Sequence, residues 1–370
     1  MNAETTKKIK VCFVAPKAYP IFNPATGDYF GGAEVDLYYL ATELAKDGNF
    51  EVSFIVADYD QKDIEVIENV TVIKSLNFSK NMLSGLLRTW SALKKADADI
   101  YFLKCASPGT PVVAAFCKLH RRIFLYRLAS VLESDGTYIK QHPILGRLFA
   151  ASLRRAAVVF AQNSTDRENL TKTLSIPSRM IPNGHPLPPM LDKSKDTIIW
   201  VGRDDPVKKP QRFLDLARAF PNERFTLICQ TLNNDAQYKN LVEQAGNIAN
   251  LEFLRHVPFN RIDTYFQRAK VLVNTSDSEG FPNTFIQACK AGAAILSFNV
   301  NPDGFLDTCN CGLCCNGDAE RLKYNLRLML ENNRYVEFGS NGRKYVEQNH
   351  DIIKIAAEYK SIFNQLLKNT

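Results

Sequence analysis

The feature that most constrains the fold is an alternation that runs through the chain twice. Short apolar runs at Lys10–Ala15 (KVCFVA), Val52–Val56 (VSFIV), Val70–Ile73, Ile100–Leu103, Ile123–Tyr126 and Val158–Ala161 are separated by stretches long enough for helices. Strands apolar on both faces suit a parallel sheet covered by helices on either side. After the first run, which ends at Pro16, Leu37, Leu40, Ala41, Leu44 and Ala45 fall on one stripe and predict a helix over Ala33–Ala45. The alternation resumes with Thr197–Val201 (TIIWV), Phe225–Ile228, Leu251–Leu254, Val271–Asn274 and Ala294–Ser297. Between the two series lies PNGHPLPPMLDKSK, whose four prolines and one glycine fit neither a helix interior nor a central strand.

The expected architecture is α/β, with two Rossmann-like doubly wound domains over residues 1–182 and 196–350 and a linker over 183–195. A closing helix is expected over 351–370, because Ile352, Ile355, Ala356, Tyr359, Ile362, Phe363 and Leu366 share one face. The length of 370 residues suits two domains, and 45% hydrophobic with 23% charged residues excludes a disordered chain. No apolar run reaches the roughly 18 residues of a membrane span, and Met1–Lys10 is polar, so a cytoplasmic protein is expected.

Nine cysteines are too sparse for a disulfide scaffold, and Cys12, Cys229 and Cys289 sit in apolar runs as small buried side chains. Cys309, Cys311, Cys314 and Cys315 crowd together without paired CxxC spacing or a nearby histidine, which favours reduced thiols over a metal site. His120, His142, His185, His256 and His350 are scattered. A surface place is expected for His185 and His256.

Charge is unevenly spread. Residues 72–165 carry 14 Lys or Arg against four acids, Asp97, Asp99, Glu133 and Asp135, a balance of 14 − 4 = +10 within a whole-chain charge of +7. Leu83, Leu86, Leu87, Trp90 and Leu93 recur there at helical spacing beside Lys80, Arg88, Lys94 and Lys95, with Lys118, Arg121, Arg122, Arg147, Arg154 and Arg155 following. Solvated helix faces and an anionic membrane surface both suit this pattern, and no nucleic-acid recognition motif accompanies it.

Three strand-end loops carry chemistry. Gly27–Glu34 (GDYFGGAE) opens the first helix, and its paired glycines, Gly31 and Gly32, let backbone N–H groups approach a phosphate or sugar. Its spacing matches neither a GxGxxG fingerprint nor a P-loop. Val201-Gly202-Arg203, followed by Lys208 and Lys209, sets a guanidinium and ammonium groups at a strand's carboxyl end, a combination suited to a diphosphate. Ser276–Ala288 (SDSEGFPNTFIQA) places Glu279 before a helix that Asn283 or Thr284 could cap, with Gln287 one turn inside. A carboxylate there can accept from sugar hydroxyls, and Gln287 can reach a ribose.

The order of these features resembles the family 4 glycosyltransferases of the GT-B fold: GGAE, PNG before the linker, VGR with KKP, SEGFPNTFIQA, and a closing HDIIKIAAEYKSIF helix. The resemblance covers nearly the whole chain. It implies two domains facing across a cleft and retaining transfer of a hexose-type sugar from a nucleotide-diphosphate donor to a hydroxyl of a glycan acceptor. No metal and no cofactor are implied. By resemblance Glu279 binds the donor hexose, Arg203 with Lys208 or Lys209 binds the diphosphate, and Gly31 and Gly32 lie near the reacting centre. Gly280, Phe281, Pro282, Asn283 and Thr284 complete the donor side, and the closing helix crosses back onto the first domain.

Two positions depart from the family pattern. The second glutamate of its Glu-x7-Glu loop is Gln287, which keeps an acceptor and loses the charge. No histidine stands near Arg127–Ser130, so Arg127, Ser130, Glu133 and Asp135 are the acceptor-side candidates. The resemblance and the basic stretch together imply a lipid-linked acceptor at the inner membrane face, in surface-polysaccharide or lipopolysaccharide assembly. Alternatives are a sugar-nucleotide epimerase of similar form and a non-catalytic binding subunit.

Overall fold

The computed structural model describes residues 8–27, 29–190, 194–231 and 235–368. Asp28 of the first loop, Leu191, Asp192 and Lys193 of the linker, and the ends of the expected terminal segments lie outside the described residues. The chain forms two compact units, one of Met1–Pro186 with Ile352–Thr370 and one of Leu187–Asp351.

The first unit holds an eight-stranded sheet. Its strands are β1 (Ile9–Val14), β2 (Phe50–Val56), β3 (Ile64–Ile67), β4 (Val70–Lys74), β5 (Ile100–Lys104), β6 (Ile123–Arg127), β7 (Val158–Ala161) and β8 (Arg179–Met180), in the order β3-β4-β2-β1-β5-β6-β7-β8. All pairings are parallel except β3 with β4, which are antiparallel. That hairpin corrects the expectation of a purely parallel sheet. Its two-residue turn, Glu68 and Asn69, has positive φ at both positions (51° and 62°), the geometry that matches the twist of two adjoining strands.

At the centre Phe13 stacks on Phe54 and Phe102 at 5.8 and 5.6 Å between ring centroids. The helix Ile352–Lys368 belongs to this unit: Tyr359 lies 5.5 Å from Phe102 and 5.1 Å from Phe160, and Ile352, Ile355, Ala356, Ile362 and Phe363 are buried with it. The apolar stripe of that helix therefore completes the core of a sheet whose strands come from the other end of the chain.

The second unit holds a six-stranded, wholly parallel sheet. Its strands are β9 (Thr197–Arg203), β10 (Arg224–Gln230), β11 (Leu251–Leu254), β12 (Ala269–Asn274), β13 (Ala294–Ser297) and β14 (Gly312–Cys314), ordered β11-β10-β9-β12-β13-β14. The short β14 adds to the strands read from the pattern. A Cβ at Gly312 would come within 2.2 Å of the Ile295 carbonyl oxygen, so β14 can lie against β13 here only with glycine. All nine cysteines are unpaired, with Cys311 and Cys315 fully buried as apolar filling.

Candidate functional site

In the second unit the strand order reverses between β9 and β12, and loops leaving adjacent strands at such a switch point open a crevice at their carboxyl ends. Glu279, in the loop after β12, accepts at Oε1 from Asn274 Nδ2 (2.8 Å) and Ser276 Oγ (2.7 Å). Its Oε2 forms a short ion pair with Lys208 Nζ from the loop after β9. Strand-end geometry thus joins a carboxylate and a cation from distant parts of the sequence.

A second set of bonds laces the two loops together. Thr275 Oγ1 donates to the Lys208 carbonyl (2.6 Å) and accepts from the Trp200 indole N–H (2.8 Å), while the Asp277 N–H donates to the Val207 carbonyl (3.0 Å). Arg212, on the helix Gln211–Ala219, donates to the Thr275 carbonyl (2.8 Å) and to Asp277 Oδ1 (2.6 Å), with its guanidinium 3.7 Å from the centre of the Phe298 ring. The sequence reading missed Trp200, Arg212 and Thr275; their role depends on which loops become neighbours, and no local spacing records it.

Arg203 ends β9 half-buried, and its guanidinium has no ion pair or side-chain hydrogen bond among the described residues. Lys209 is exposed, with a left-handed φ of 48°. The crevice therefore presents one uncommitted guanidinium beside an ammonium already held by a carboxylate. Guanidinium and ammonium together can neutralise a diphosphate, and a carboxylate fixed by three donors can orient hydroxyl groups.

The helix after this loop spans Asn283–Lys290. Its N-cap is Pro282, whose side chain makes no capping bond, in place of the expected Asn283 or Thr284. N–H groups at a helix start favour an anion. Gln287 lies one turn in, buried, and its side chain makes no hydrogen bond among the described residues. Gly280 is buried, and Phe281 is clamped between Phe305 (5.2 Å) and His350 (5.1 Å), whose Nε2 lies 3.2 Å from the Tyr345 hydroxyl. These rings hold the loop just after Glu279.

In the first unit the order reverses between β1 and β5. Gly31 and Gly32 begin the helix Gly32–Leu44 beside that point, and the Gly31 N–H donates to Glu34 Oε2 (2.9 Å). Four acceptor-side candidates lie in the same unit. Ser130 Oγ accepts from the Leu132 N–H (3.3 Å), and Asp135 Oδ1 from the Thr137 N–H (2.8 Å), so each shapes its own turn.

Arg127 and Glu133 require correction. Arg127 is 1% exposed and points inward: Nε lies 3.1 Å from Asp36 Oδ2, Nη1 donates to the Tyr359 hydroxyl (2.7 Å), and Nη2 donates to the Ile181 carbonyl (2.8 Å) and Asn183 Oδ1 (2.6 Å). Lys104 Nζ, at the end of β5, lies 2.8 Å from the same Asp36 oxygen. Burial by itself would raise the Asp36 pKa, but the charges of Lys104 and Arg127 outweigh it and hold the carboxyl below its usual range. The same burial pulls the Lys104 ammonium down. The group is a buried charge cluster that joins strand ends, the first helix and the closing helix.

Glu133 is also inside, accepting from the Ala106 N–H (3.1 Å), the Ala129 N–H (3.2 Å) and the Tyr126 hydroxyl (2.9 Å). Burial pushes its carboxyl up to about 7 against the pull of those donors. His185, expected on the surface, is fully buried, with its ring 5.0 Å from Tyr39. The alternation that found the strands says nothing about which polar residues turn inward, whether they end strands, as Lys104 and Arg127 do, or lie on helices, as Asp36 and Glu133 do.

No group of three or more His, Cys, Asp or Glu suited to a metal ion occurs among the described residues, and none of their helices is long and apolar enough to cross a membrane.

Comparison with known proteins adds the family. The model of glycosyl transferases group 1 matches residues 188–345, and that of glycosyltransferase family 4 matches residues 30–187. A comparison with curated proteins returns no match. Among solved structures, sucrose-phosphate synthase from Thermosynechococcus elongatus superposes with a TM-score of 0.80 at 17% identity, over 98% of this chain and 100% of that one. HepE of Anabaena in complex with UDP-glucose gives 0.73 at 15% identity, over 98% and 100%. WaaG, a glycosyltransferase involved in lipopolysaccharide biosynthesis, gives 0.69 at 16% identity, over 95% and 99%. These likenesses agree with a fold of two Rossmann-like α/β units, and the two models, which together match residues 30–345, show that the chain belongs to the group 1, family 4 glycosyltransferases.

Proposed function

We propose that this glycosyltransferase moves a hexose-type sugar from a nucleotide-diphosphate donor to a hydroxyl of a glycan acceptor with retention of the α configuration, and that it does so without a metal or cofactor. The observation that carries the donor side is the crevice of the second unit, where Arg203 stands uncommitted beside the Lys208–Glu279 pair. In the reaction the bond between the sugar's anomeric carbon and the diphosphate oxygen breaks, and the electron pair leaves with the diphosphate. Arg203 and Lys208 stabilise that growing charge, which is the main electrostatic demand of the step. The acceptor oxygen bonds to the same face of the anomeric carbon, and its proton passes to the leaving diphosphate. Glu279 accepts from the sugar hydroxyls, Gln287 from the ribose, and the start of Asn283–Lys290 faces the phosphates.

The acceptor is proposed to be lipid-linked, with the protein peripheral on the cytoplasmic face of an anionic membrane and its product destined for a surface polysaccharide or lipopolysaccharide. The basic first unit supports this part. HepE, with its UDP-glucose complex, makes UDP-sugars the first donors to try.

A thermal-shift screen against UDP-, GDP-, ADP- and CMP-sugars tests the proposal, because a ligand that binds only the native state raises the melting temperature. The expected result is a shift with one nucleotide sugar, abolished in Arg203→Ala and reduced in Glu279→Ala. Absence of a shift at millimolar ligand overturns the donor assignment. A β-configured product, read by NMR coupling once an acceptor is found, overturns retention.

A further inference from the structure

We infer that the adjoining helices Met82–Ala96, Gly109–Leu119 and Pro143–Leu153 of the first unit form a face that docks on an anionic lipid surface, with aliphatic side chains from the first and third entering the headgroup layer. This deepens the membrane part of the proposed function and rests on it; the new content is which residues make the contact.

The helix Met82–Ala96 turns Thr89, Ala92 and Leu93 inward and sets Trp90 against Phe116 of the second helix, with ring centroids 5.1 Å apart. Its opposite side leaves Met82 72%, Leu83 67% and Leu87 65% exposed, next to Phe78 in the preceding turn. The sequence stripe of Leu83, Leu86, Leu87, Trp90 and Leu93 is therefore split, its last members in the core and Leu83 and Leu87 in solvent. The helix Pro143–Leu153 repeats the arrangement: Phe149, Ala150 and Leu153 are inside while Ile144 is 78% exposed and Leu148 points outward.

In a parallel sheet the connecting helices run against the strands, so the first turns of all three helices gather at the edge where the strands end. Phe78, Met82, Leu83 and Ile144 lie in or before those first turns, and Leu87 and Leu148 stand one turn further along the same helices. Scattered exposed leucines are ordinary, but large apolar side chains collected at one edge mark an interaction site.

Charge selects the partner. All four acids of residues 72–165 are already engaged: Asp97 and Asp99 with Arg122, Glu133 in the interior, and Asp135 with the Thr137 N–H. Lys80, Lys140 and Arg147, near those helix starts, and Lys94, Lys118, Arg121, Arg154 and Arg155, at the far ends of the same helices, are exposed and have no ion-pair partner among the described residues. A second copy of this face would set eight cations against eight. An anionic bilayer accepts the aliphatic chains and attracts every cation, the combination by which amphipathic surfaces bind in the interface plane.

The test is co-sedimentation of the full chain with vesicles of phosphatidylcholine, alone or with one quarter phosphatidylglycerol. Wild type is expected to bind the anionic vesicles and to be released by salt. Met82→Ser, Leu83→Ser and Leu87→Ser combined, with every cation kept, should lower binding at least tenfold. Lys80→Gln, Lys140→Gln and Arg147→Gln should each lower it about fivefold, the loss of about 1 kcal/mol per cation near such a surface. Binding that ignores lipid charge, or survives both sets of substitutions, overturns the inference. So does a concentration-dependent dimer that the serine variant abolishes, which would make the face a self-association surface. The nucleotide-sugar thermal shift, run on the same variants, separates the two readings. A normal shift with lost vesicle binding leaves both standing, whereas vesicle binding with no shift in wild type removes the donor assignment alone.

Discussion

Glu279 is bound to Lys208 across the crevice, so the two groups that the proposed reaction uses at different ends of the donor neutralise one another. Both side chains are partly exposed (15% and 26%), and an ion pair with that access to water adds little to stability, about 0–1 kcal/mol. Glu279→Gln should melt within a few degrees of wild type, because the amide oxygen still accepts from Asn274 and Ser276. Sugar transfer should fall by about 100-fold or more, the scale on which a single electrostatic contact to the reacting group acts. Calorimetry and a transfer assay on one preparation would check both halves.

Asp36 neutralises two buried cations, and its loss should be felt in the fold. Asp36→Ala leaves Lys104 and Arg127 facing each other without a carboxylate and should destabilise the first unit by about 3–5 kcal/mol. Adding Lys104→Met should restore part of that loss, because the two sites share a partner. Urea unfolding of wild type, single and double variants measures the coupling.

Glu133 predicts a slope of stability with pH. Its folded pKa, about 7, lies above that of an exposed glutamate, so the folded state holds a proton that the unfolded chain releases near pH 4.5. The contribution is fully present below about pH 4.5 and is lost as pH rises to about 7, by up to about 3 kcal/mol. Glu133→Gln should flatten the melting temperature across that window while leaving the acid limb set by Asp36, whose depressed pKa acts at lower pH.

Gln287 predicts a gain. A carboxylate accepts hydrogen bonds about twice as strongly as an amide, so Gln287→Glu should tighten nucleotide binding roughly fivefold if a ribose hydroxyl lies within its reach. Isothermal titration with the nucleotide diphosphate, which lacks the sugar, isolates that contact from those of Glu279. Unchanged affinity would remove Gln287 from the donor site.

The strands were legible because their signal is local: runs such as TIIWV and VSFIV are apolar on both faces wherever they occur. Of the β3–β4 hairpin only β4 was read, because Ile64 and Val66 of β3 are exposed at the edge of the sheet, where no buried apolar run marks a strand. The loops of the second unit were legible as loops, and Glu279, Arg203 and Lys208 as charged groups in them, since charge at a strand's end is visible in the sequence. The pairing of Lys208 with Glu279 was not, because it arises only when β9 and β12 become neighbours. Arg127 misled for the same reason. Its partner Tyr359 lies 232 residues away, and without that partner a cation at a strand end reads as one facing solvent.

The hydrogen bond from Arg127 to Tyr359 also fixes when the first unit can finish folding. A ribosome releases the strands of that sheet early, yet Tyr359 and Phe363, which close its core, emerge only after all of Leu187–Asp351. At roughly 5–20 residues per second that interval lasts on the order of ten to thirty seconds. Through it Phe102, Phe160 and the Asp36 cluster lack the cover of Tyr359, while the second unit is continuous in sequence and needs no later segment. The helix Ile352–Lys368 is the lid on strands made long before it, so a nascent chain stalled before Ile352 presents an open core to chaperones.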